Sequence, residues 1–94
     1  MVFQTRLTPE LIERYTCSGH WGSETFYQIL ARRARAHPDR EALVDHRHRV
    51  TYRELVERVD RTAAAMQQLG IGPGDVVTIQ IPNWVEFAYV FFAC

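Results

Sequence analysis

There is not one lysine in this chain of 94 residues. All eleven basic side chains are arginine, which stays charged at physiological pH and forms no Schiff base. Lysine chemistry is therefore excluded from the segment. Cysteine is scarce as well. Cys17 and Cys94 lie far apart with no CxxC spacing, which argues against a disulfide scaffold or a zinc site. Excess charge of either sign is missing, because eleven acidic residues balance the arginines. No basic face for nucleic acid or an anionic membrane follows from that balance. The start, Met1 to Arg6, has no signal-peptide apolar run, so a cytoplasmic protein is expected. The apolar stretch from Phe87 to Cys94 falls short of the ~20 residues that a membrane span requires.

What remains is ordinary for a globular chain: 47% hydrophobic and 23% charged residues. A chain this size buries roughly 60–65% of its unfolded surface, enough for one small core.

Helix starts punctuate the sequence. Thr8-Pro9-Glu10 carries an N-cap, a proline at the first helical position and an acid in the first turn, predicting a short helix that ends near Tyr15. A glycine-bearing loop, Cys17 to Glu24, follows. Thr25-Phe26-Tyr27-Gln28 has capping-box spacing, with Phe26, Ile29, Leu30 and Ala34 on one face of the helix and His37-Pro38 ending it. Glu41 to Asp45 reads as a short strand and His46 to Arg49 as a polar turn. The box recurs at Thr51-Tyr52-Arg53-Glu54, opening a long helix whose stripe is Leu55, Val59, Ala63, Met66 and Leu69. Gly70 supplies the left-handed residue that ends this helix, and Gly72 to Asp75 is a turn. Val76 to Pro82 reads as a strand buried on both faces. Asn83 with Glu86 repeats the box, so the apolar tail is the start of a buried helix. Strand, helix, strand, helix in this order predicts an α/β fold with a parallel sheet.

Candidate chemistry is thin. Gly70 to Gly74 looks like a phosphate cradle, but it closes a helix and leads into a strand, the reverse of what phosphate binding needs. His46 and His48 could share a metal, yet they lack a third ligand and are flanked by Arg47 and Arg49. His20-Trp21 offers a partner surface, or simply a loop anchored by a buried indole. Glu57 lies four residues from both Arg53 and Arg61. With Asp60 on the same helix, it reads as a solvated face rather than a catalytic pair. No Ser-His-Asp set or carboxylate pair is visible.

One further pattern spans nearly the whole chain. Thr51-Tyr52-x-Glu54-Leu55, Leu69-Gly70-x-x-Pro73-Gly74-Asp75-Val76-Val77, Pro82-Asn83 and Glu86-Phe87 resemble, in order and spacing, the N-terminal region of the adenylate-forming superfamily. That superfamily includes acyl-CoA synthetases, aryl-acid AMP ligases, luciferases and peptide-synthetase adenylation domains. Tyr15 to Trp21 and Gln80 to Phe87 resemble cyclohexanecarboxylate-type acyl-CoA ligases and 2,3-dihydroxybenzoate-AMP ligases most, with fatty acyl-CoA ligases also open.

The resemblance implies the first part of the large subdomain of a luciferase-like fold, with residues 1–24 as a leader and 25–94 as an α/β core segment. It implies an ATP-, Mg2+- and CoA-using enzyme that activates a small carboxylic acid as an acyl-adenylate, in the setting of fatty acid metabolism. The family's phosphate loop, Thr-Glu motif, ribose-binding Asp and C-terminal lysine have no counterpart in residues 1–94. Catalytic, cofactor-binding and metal-ligating residues are therefore expected to be none, and the segment by itself inactive. The chain is expected to be truncated, its apolar final helix uncovered and prone to self-association. The alternative is a stand-alone α/β interaction module that homodimerises through that helix.

Overall fold

A computed structural model describes residues 4–94. Its elements run α1 (Pro9–Cys17), α2 (Phe26–Ala36), β1 (Glu41–Val44), β2 (Arg49–Thr51), α3 (Tyr52–Gln68) and α4 (Val85–Ala93). The chain is α/β, with helices packed on a two-stranded sheet.

Local signals place most boundaries. The Thr8 hydroxyl accepts the Leu11 amide at the start of α1, which runs to Cys17, two residues past the expected end near Tyr15. The extra turn is held by the Ser18 amide, which donates to the Arg14 carbonyl at 3.0 Å. In α2 both arms of the capping box form: Thr25 accepts the Gln28 amide at 3.1 Å, and the Gln28 side chain accepts the Thr25 amide at 2.8 Å. The box at α3 is equally complete, at 3.2 Å from the Glu54 amide to Thr51 and 2.9 Å from the Thr51 amide to Glu54. Replacing Thr51 with Ala strands one of these donors and should cost about 1 kcal/mol, measured as a lower urea midpoint with unchanged slope.

At the far end of α3, Gly70 takes φ +85°. Its amide donates to the Gln67 carbonyl and that of Ile71 to the Met66 carbonyl, the paired bonds of a Schellman motif.

Three expectations need correction. The sheet is an antiparallel hairpin, not parallel: Leu43 pairs with Val50 and Val44 with Arg49, and the Asp45 amide closes the turn on the His48 carbonyl. A turn this short brings the next strand back beside the first, whereas parallel pairing needs a long crossover. Second, Val76 to Ile81 is extended but bonds to no other strand among the described residues. An apolar run makes a strand only when a neighbour supplies the ladder. Third, Asn83 does not cap the last helix. Trp84 holds that position and makes no side-chain cap bond.

The core is small: Leu30 from α2, Val50 from β2, Leu55 and Val59 from α3, and Val85 from α4 are buried. Ala88, Tyr89, Phe92 and Ala93 pack against it, so α4 is half covered by the chain's own helices. Phe26 at the start of α2 is 67% exposed and Leu69 is 79% exposed, so the α2 stripe buries Leu30 alone and the α3 stripe buries its start, Leu55 and Val59, and leaves its end in solvent.

Candidate functional site

The densest meeting of polar groups lies where the hairpin turn touches the start of α4. Asp45 follows β1 directly, and its side chain is only 4% exposed. Oδ1 accepts the Arg47 amide at 2.8 Å and the His48 amide at 2.6 Å, which folds the turn over the carboxylate. Oδ2 reaches across 40 residues to accept the Val85 amide at 3.0 Å. Val85 is the first residue of α4, where free N–H groups and the helix dipole favour a negative charge. Asp45 therefore caps a helix from the other end of the sequence. The Val85 hydrogen bond is the main reason its pKa lies well below the ordinary carboxylate range, and the Arg47 and His48 amides add to it against the cost of desolvation.

Around this anchor the Arg47 guanidinium stacks over the Trp84 ring at 4.7 Å and reaches Glu86 Oε1 at 3.4 Å. The His46 ring lies 5.9 Å from Trp84. His48 Nδ1 is 3.5 Å from Asp45 Oδ1. The two histidines thus serve different contacts, and no three His, Cys, Asp or Glu side chains converge on a metal position among the described residues. This cluster orients the hairpin, the 82–84 link and α4. It contains no nucleophile with an adjacent base.

The other candidates resolve structurally. Asp75 Oδ2 accepts the Gly72 amide at 2.8 Å, so one donor of the glycine turn is already occupied. Trp21 is 39% exposed and lies 5.2 Å from Tyr15, against α1 rather than buried in the core. Arg53 pairs with Asp39 at 3.0 Å instead of Glu57. Asp60 accepts the Tyr27 hydroxyl at 2.7 Å, joining α3 to α2, and this bond pushes the phenol pKa up. Shallow hollows of about 410–520 Å³ lie along the helices and their loops. The largest is lined by Glu24, Tyr27, Gln28, Arg32 and Arg35, with Glu24 held by Arg32 at 3.1 Å. Among the described residues, no helix is long and apolar enough to cross a membrane.

Asp45 is the structural link that sequence reading missed. Its only signal was an acid at a strand end, three residues before His48, which suits a turn but names no distant amide.

Comparison with known proteins gives the context. Residues 30–94 match the family model described as AMP-binding enzyme. Over 82 residues the chain is 39% identical to pyochelin synthase PchD of Pseudomonas aeruginosa, covering 87% of this chain and 15% of that protein. It is 45% identical over 84 residues to the 2,3-dihydroxybenzoate-AMP ligase of Bacillus subtilis, covering 89% of this chain and 16% of the ligase. It is 43% identical over 84 residues to the salicyl-AMP ligase / salicyl-S-ArCP synthetase of Mycobacterium tuberculosis, covering 84% and 15%. The apo structure of Mycobacterium smegmatis MbtA superposes with a TM-score of 0.86 at 40% identity, covering 95% of this chain and 17% of that one. The chain spans about one sixth of these proteins' length. With the match covering most of its residues and the fold shared at that identity, it belongs to the AMP-binding enzyme family.

Proposed function

We propose that these residues form the opening portion of the AMP-binding domain of a ligase. The ligase activates an aromatic carboxylic acid with ATP and Mg2+, releases pyrophosphate, and passes the acyl group from the adenylate to a thiol. Within this portion, residues 1–24 act as a leader and 25–94 as the α/β core segment. The observation that carries the reading is the likeness to MbtA over 95% of the chain at 40% identity. The named relatives work on salicylate, 2,3-dihydroxybenzoate and naphthoate, so the fatty acid setting expected from the sequence is replaced by aryl acids.

CoA is our preferred acceptor. A 2-hydroxy-7-methoxy-5-methyl-1-naphthoate–CoA ligase of Streptomyces carzinostaticus, 41% identical over 85 residues, supports it. The carrier-linked salicyl synthetase keeps a protein thiol as the rival acceptor. Two unpaired, exposed cysteines, Cys17 and Cys94, suit a cytoplasmic, reducing setting.

Among the described residues no three His, Cys, Asp or Glu side chains converge and the Gly72 amide is taken, so no chemical step is assigned to the described side chains. Their part is scaffolding: the Asp45 link holds the start of α4 to the hairpin turn. In the complete reaction, charge building on the α-phosphate would be stabilised by groups outside this segment.

The test is a chimera. Residues 1–94 replace the matching opening of the Bacillus subtilis 2,3-dihydroxybenzoate-AMP ligase, and ATP–pyrophosphate exchange is measured with aryl, alicyclic and fatty acids. Exchange with aryl acids is expected, whereas the 94 residues alone should give none. A soluble, folded chimera inactive with every acid would overturn the reading. The rival, a module that dimerises through α4, draws on Phe87 and Phe91, which lie partly exposed beside Phe26. It predicts instead a dimer abolished by Phe91→Glu.

A further inference from the structure

We draw no further inference here: the strongest candidate, the hollow between α3 and the start of α4 lined by His48, Arg58, Arg61, Glu86 and Tyr89, carries none, because the Glu86 carboxylate shares it with the arginines and nothing in the structure shows what faces it.

Discussion

Truncating Leu55 to Ala should remove a large share of the chain's stability, about 2–5 kcal/mol. Leu55 is 2% exposed and sits where α2, the hairpin, α3 and α4 meet. A buried Leu→Ala change costs about 2–5 kcal/mol, from lost transfer energy plus the cavity left behind. A chain this size has about 5–10 kcal/mol of net stability at most, and among the described residues only five hydrophobic residues are buried. Collapse around the hole is hindered because Val59, the most buried neighbour, belongs to the same rigid helix. Urea unfolding followed by far-ultraviolet circular dichroism should show the midpoint falling toward zero denaturant. Leu69→Ala, at an exposed position one turn past the stripe's buried part, should move it little. Equal effects from the two would mean that the helix packing described above is wrong.

Replacing Asp45 with Asn should be the most damaging polar substitution in the molecule. The carboxylate accepts three amide donors from two directions, and no amide side chain can do the same. If the Asn oxygen faces Arg47 and His48, its NH2 group confronts the Val85 N–H; if it is turned over, the hairpin turn loses its acceptor. Either way a donor is stranded at the edge of the core, and the negative charge at the start of α4 is gone. The loss should concentrate in α4, read as faster exchange of the Ala88, Tyr89 and Phe92 amides before the rest of the chain opens.

The pH dependence has a definite sign. The folded pKa of Asp45 lies below that of an unfolded aspartate, about 3.9. Its contribution is thus complete above that value and is lost as the pH falls through and below it. Wild type and Asp45→Asn should differ most near neutrality and converge in acid. A constant gap from pH 7 to pH 2 would show that the charge is not what stabilises the contact.

Much of the architecture was legible because it is built from local rules. The boxes at Thr25 and Thr51 and the glycine stop at Gly70 involve residues three or four apart, and each formed as read. Failures fell where the deciding partner is distant. Asn83 had the residue type and spacing of a cap, but the Val85 amide was taken by Asp45, 40 residues away. Val76 to Ile81 had the composition of a buried strand, but pairing is a property of two segments and composition describes one. The stripe through Leu69 was correct in period and wrong in extent, since periodicity says which face turns inward and not how far the neighbouring helix reaches.

The family pattern was legible for the same reason as the helix caps: it is a set of ordered motifs along one chain, and the comparisons placed the protein where that pattern pointed. The capping boxes of α2 and α3, the glycine stop of α3 and the absence of lysine chemistry were determined by sequence alone, through short-range geometry and residue type. Tertiary structure decided which acid caps α4 and which part of the last helix is covered by the described residues. Each of those outcomes depends on what stands opposite a group in space, and no single stretch of chain contains that information.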